Sequence, residues 1–170
     1  MQDWAKPMDY FDFRPERVAI NGFRSTMAGY ELGDSSCWDE MWNTLLEETG
    51  IDGACRITGS LQFFVRSLRA AREGSLQYFP KSCRRLCTDE CLVISLLASV
   101  QHNTTDTSDY CLEHLLKDGR EIFADDLFTA ATLLAIQMRL TDLIFLPVPL
   151  EVVKSVIDRS CLQCIRLAVQ

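Results

Sequence analysis

Three cysteines, Cys83, Cys87 and Cys91, stand four apart in the stretch CRRLCTDEC of a 170-residue chain that holds eight. Thiols at that density suggest metal ligation, redox exchange, or no chemistry at all, the sulfur packing as a small apolar side chain. Two further close pairs, Cys111-x-x-His114 and Cys161-x-x-Cys164, place ligand-type residues at i and i+3, which share one face of a helix. A tetrahedral zinc takes four such ligands, usually as two pairs, so Cys83, Cys87, Cys91, Cys111, His114, Cys161 and Cys164 form the candidate metal set. Their spacings match no standard zinc or iron–sulfur pattern, and the Cys161 pair lacks the βαβ setting of a redox motif. The expectation is no cofactor, with zinc binding or thiol redox work as the alternative reading.

Other reaction signatures are weaker. His102 and His114 are the two histidines, and the Cys111–His114 spacing suits a nucleophile and base but comes with no orienting third group. The acid pairs Asp125-Asp126 and Glu47-Glu48 are adjacent, so they point to different helix faces. No Walker loop, dinucleotide glycine fingerprint or Gly-x-Ser-x-Gly elbow occurs. The chain therefore reads as non-enzymatic.

Charge supplies the second candidate. The chain carries a net charge of −7, yet between Arg56 and Arg85 seven basic residues face the single acid Glu73, a local +6 that leaves −13 on the rest. Arg66, Arg69, Arg72, Arg84 and Arg85 interleave with Phe63, Phe64, Tyr78 and Phe79, a composition that serves phosphate contact and base stacking. Against nucleic acid stands the acidity of the whole chain, which repels phosphate. Arginines and aromatics are also what protein interfaces concentrate, and a protein partner is the preferred reading of this segment. An aromatic arm, residues 1–14 with Trp4, Tyr10, Phe11 and Phe13, precedes the domain at 15–170. Such a segment should dock, and a homodimer in which it covers the helix carrying Trp38 and Trp42 of a second copy is the expected arrangement.

The elements that must position these residues are helical throughout. Pro15 suits a first helical turn, and Val18, Ile20, Phe23, Met27 and Tyr30 follow it. Asp34-Ser35-Ser36 offers a cap for a second helix with the stripe Trp38, Met41, Trp42 and Leu45, stopped at Gly50. A third helix is expected from about Gly59 to Glu73, with Leu61, Phe64, Val65 and Leu68 inward. Thr88, followed by Asp89 and Glu90 on the helix dipole, reads as the cap of CLVISLLASVQ, apolar almost all round and hence central, with Cys91 in the core and Cys83 and Cys87 in the preceding turn. Cys111 and His114 fall on a short helix after the polar loop HNTTDTSD. A long helix from about Arg120 to Leu140 shows two apolar sides, which predicts neighbours on both and burial of Leu133 and Leu134, as of Leu96 and Leu97. LIFLPVPL is expected to be extended, and Pro149 to open a last helix.

The result is an all-α fold: one globular domain of six or seven helices around a central apolar helix pair. The apolar tract from Leu127 to Leu150 is broken by Arg139, Asp142 and two prolines, which argues against a membrane span. The opening MQDWAKPMDYFDFRPER has no continuous apolar run of the kind a secretory leader needs, and eight cysteines are then expected as free thiols of a cytoplasmic protein. Contact with a protein partner, as a regulator or accessory factor, is the expected function.

Overall fold

The computed structural model describes residues 13–72, 74–116 and 121–168, the side chains of 121 and 160–168 excepted. The described chain is all-α, without strands. Its helices are α1 (Arg14–Leu32), α2 (Ser36–Ala71), α3 (Thr88–His102), α4 (Thr105–Leu116), α5 (Ala124–Leu140, after a 3-10 turn at Glu121–Phe123) and α6 (Leu150–Ala168). No helix among the described residues is long and apolar enough to cross a membrane.

Helix α1 begins with proline in its first turn and ends on Gly33, whose φ of 63° is a left-handed cap. It packs along α2 at close range, because a Cβ at Gly29 would run into the indole ring of Trp38. Trp38 donates to the Thr26 carbonyl at 3.4 Å and meets Tyr30 edge-to-face at 5.3 Å. Trp38 and Trp42 are thus half-buried against their own chain. Of the pair expected to receive an arm from a second copy, Trp38 meets α1 and both keep part of their surface open.

Gly50 was expected to stop one helix, with the next starting near Gly59. Instead the backbone turns at Gly50 (φ 72°, ψ 178°) and helix resumes at once, so α2 is two rods joined at a kink. Glycine alone takes that conformation without steric cost, which makes Gly50 a joint where the composition suggested an end. The second rod buries Leu61, Phe64, Val65 and Leu68, as their spacing predicts.

Helix α3 is central, touching α1, α4, α5 and α6, with Leu92, Val93, Ile94, Leu96, Leu97 and Ala98 buried. Its start lies one residue from the expected place: Cys87 is the cap and Thr88 the first helical residue. Cys91, expected in the core, is half-buried beside Leu86 and the apolar residues of α6, because it sits on the first turn where the neighbouring helix only partly covers it.

Helix α5 holds the largest departure. Leu127, Ala130, Ala131, Leu134 and Met138 are buried, but Leu133 is 43% exposed and Ile136 and Leu140 are exposed as well. The side carrying Leu133, Ile136 and Leu140 is left largely open among the described residues. After α5 the chain runs without helix or strand through two prolines to α6, which begins directly after Pro149 as expected. Among the side chains that hold its backbone is one with no role legible in the sequence. Gln101, buried on α3, donates through Nε2 to the carbonyls of Ala135 and Leu143 at 3.0 Å each and accepts from the Phe145 amide at 2.9 Å. The same segment is bound to α1, where the buried Glu16 accepts from the Leu146 amide at 2.8 Å.

The second carboxyl oxygen of Glu16 is buried with no hydrogen-bond partner. Burial pushes its pKa up from the ordinary 4.5, opposed by the Leu146 amide, which favours the charged form. A raised folded-state pKa means the folded chain holds the proton more tightly, so stability is highest below the ordinary value and falls as pH rises through the raised one. Glu16→Gln keeps the acceptor for Leu146 and removes the charge. Its melting temperature should equal or exceed that of the parent chain at neutral pH and should lack the decline that the buried Glu16 carboxyl is expected to give the parent above pH 4.5. Parallel melting curves for the two proteins across that range would show that Glu16 is not the group responsible.

Candidate interaction surface

The chemistry-bearing residues of the opening stretch do not converge. Among the described residues no group of three or more His, Cys, Asp or Glu side chains is placed to hold a metal ion. Cys83 and Cys87 lie in the loop before α3, Cys91 on its first turn, and Cys111 is fully buried on α4. The Cys87 thiol donates to the Gln77 carbonyl at 3.0 Å. Burial raises the thiol pKa of Cys87, Cys91 and Cys111 to about 12 each, the reverse of what a reactive thiolate requires. His114 does not face Cys111: its Nδ1 lies 2.9 Å from the Tyr110 carbonyl and its ring stacks on Tyr110 at 4.0 Å. The side chains of Cys161 and Cys164 are outside the description. The six described cysteines, which also include Cys37 and Cys55, are free thiols.

The basic segment divides into exposed and buried members. Arg66, Arg69, Arg84 and Arg85 are exposed, with Arg69 lying 4.8 Å over the Tyr30 ring. Arg72 corrects the expectation that it forms part of a contact surface. It is buried, its Nη1 lying 2.9 Å from Asp89 Oδ1 in an ion pair that falls short of hydrogen-bond geometry at that nitrogen. Arg72 stands just past the end of α2 with its backbone already extended (φ −97°, ψ 128°), and its side chain is buried against Asp89. The aromatics do not form a stacking platform either. Phe64 is core, and the Tyr78 hydroxyl donates to Glu31 at 2.6 Å.

A second buried pair, Arg24 with Glu90, organises the loop itself. Arg24 Nε donates to Glu90 Oε1 at 2.6 Å and Nη2 to Oε2 at 3.0 Å, both side chains 1% exposed or less. The other guanidinium hydrogens go to the carbonyls of Pro80 (3.2 Å), Cys83 (2.6 Å) and Arg85 (2.6 Å). Glu90 in turn accepts from the amides of Phe79 at 3.1 Å and Cys87 at 2.9 Å, and Asp89 from that of Gln77 at 2.8 Å. All five donors of the arginine and four acceptor positions of the glutamate are used, which is how a buried charge pair offsets its desolvation. The arginine-rich loop therefore presents its side chains outward because its backbone is held from within. Sequence reading placed Asp89 and Glu90 on the helix dipole and gave Arg24 no role. The available signal was an arginine amid the inward residues Ile20, Phe23 and Met27.

Of the aromatic arm, Trp4, Tyr10 and Phe11 lie outside the described residues. Phe13, at the start of α1, is 43% exposed.

The surface feature that stands out is the outward side of α5. Phe128, Thr132, Ile136 and Leu140 recur every four residues along it, with Leu133 beside them, and the four apolar members are between 38% and 64% exposed. One flank of this row falls into a groove of about 420 Å³ against the end of α3 and the start of α4, lined by Val100, Asn103, Thr104, Ser108, Phe128 and Ile136 among others. Arg139 stands at its rim, its Nη1 donating to the Gln101 carbonyl at 3.0 Å. Asp125 and Asp126, exposed on the first turn, mark the other end of the helix. An apolar row at helical spacing, open to solvent and bounded by charge, is what one helix presents to another across an interface. Comparison with known protein families, curated proteins and solved structures gives no match.

Proposed function

We propose that the chain is a non-enzymatic cytoplasmic protein, a regulator or accessory factor that works by binding protein through the outward side of α5. The observation that carries this reading is the exposed row Phe128, Leu133, Ile136 and Leu140 on a helix whose other side is fully packed. Leaving several large apolar side chains in water along one helix is unfavourable by about 25 cal/mol per Å² of the area that burial would remove, and a partner relieves it. Free thiols on the described residues suit a reducing compartment. The exposed arginines 66, 69, 84 and 85 offer a second, charged contact area on the same partner or another.

A photo-reactive amino acid placed at Leu133 in living cells tests the reading, with the exposed Glu47 on α2 as control position. Discrete protein adducts at 133, lost when Ile136→Asp is added, are expected. The same adducts from both positions, or none from either, would sink it.

A further inference from the structure

Resting on that reading of α5, we infer that the protein seated on it is a second copy of this chain, with the two α5 helices packed antiparallel about a two-fold axis at Thr132. The row is complementary to itself. Phe128 and Ile136 each lie four residues from Thr132, and Asp125 and Arg139 each lie seven residues from it. With a rise of about 1.5 Å per residue, reversing the helix sets Phe128 opposite Ile136 of the partner at about 6 Å from the axis, and Asp125 opposite its Arg139 at about 10 Å. Each contact occurs twice, as an isologous interface requires. At about 100° per residue these side chains also fall on one side of the helix, Phe128, Arg139, Thr132, Asp125 and Ile136 spanning about 80° in that order, with Leu140 and Leu133 beside them. Thr132, at the crossing, is small enough to let the backbones approach, and its hydroxyl is already satisfied by the Phe128 carbonyl at 2.8 Å. A parallel arrangement would set Asp125 against Asp125 and Arg139 against Arg139, so the charges select the antiparallel one.

The test uses three full-length proteins in sedimentation equilibrium. The parent chain should associate at micromolar concentration to twice its mass. Asp125→Arg carries two positive ends on the row and Arg139→Asp two negative ends, so each alone should associate at least tenfold more weakly. An equimolar mixture of the two should regain dimers, because every end then meets its opposite. Asp125 is exposed and its replacement leaves the core untouched; helicity by circular dichroism checks that Arg139→Asp, which loses the bond to Gln101, still folds. If it does not, Asp125→Arg alone, which leaves the bond from Arg139 to Gln101 in place, carries the test, and its association should be at least tenfold weaker than that of the parent. A parent chain that stays monomeric, or charge reversals that leave association unchanged, would overturn the self-pairing. A monomeric parent that still gives discrete adducts at Leu133 with another protein would leave the broader functional reading standing, so the two fail separately.

Discussion

Replacing Arg24 by alanine should destabilise the protein by about 3–5 kcal/mol, the range for breaking one partner of a buried charge pair. The loss is large because Glu90 stays behind with no exposure to water, and the carbonyls of Pro80, Cys83 and Arg85 lose their donor at the same time. Against a total stability of about 5–15 kcal/mol, such a change removes a large part of the margin. Arg24→Lys should recover little, since an ammonium offers three donors from one point where the guanidinium fills five positions. Arg24→Met with Glu90→Leu should be less destabilising than the sum of the two single changes, because neither charge is then stranded. Denaturant unfolding of the singles and the double measures the coupling. A loss within about 0.5 kcal/mol for Arg24→Ala would place the arginine at the surface and contradict the geometry.

The second large effect separates two adjacent leucines. Leu134→Ala should cost about 2–5 kcal/mol, since Leu134 is 1% exposed in a core where the cavity closes only partly. Leu133→Ala should lie within about 0.5 kcal/mol of the parent for the isolated chain. The measurement is the same unfolding curve on both variants, taken at a concentration low enough that any association contributes nothing. Equal losses would mean that α5 is rotated from the position described.

These two leucines also show what the amino-acid order discloses and what it leaves open. The all-α fold, the central place of α3 and the inward row of α2 are legible because burial repeats with the helical period and repetition is a property of the chain alone. The state of Leu133 is not legible in the same way. An apolar side chain at helical spacing looks identical whether a neighbouring helix covers it or a second molecule does, and only the packing tells them apart. Gly50 fails for a related reason: glycine marks a departure from helix but says nothing of what the next residue does. Arg24 and Glu90 are 66 residues apart, and no local pattern joins two charges across that distance. The spacing of the cysteines left open whether any of them meet, and among the described residues the cap at Cys87 and the burial of Cys111 on another helix keep them apart.

Gln101 has a consequence for the order in which the chain is made. The backbone groups it binds, from Ala135 to Phe145, follow it by 34 to 44 residues, and α5 lies in the same later stretch. During synthesis at about 5–20 residues per second, α3 therefore waits roughly 2–9 s before those partners exist. Through that interval the most apolar of the described helices has α1 and, from residue 116, α4 to pack on, but lacks α5 and the carbonyl acceptors of the Gln101 side-chain amide. A nascent chain halted between residues 116 and 135 would present the α5-facing side of that helix to whatever holds unfolded apolar segments, whereas one halted after Phe145 would have the means to cover that side.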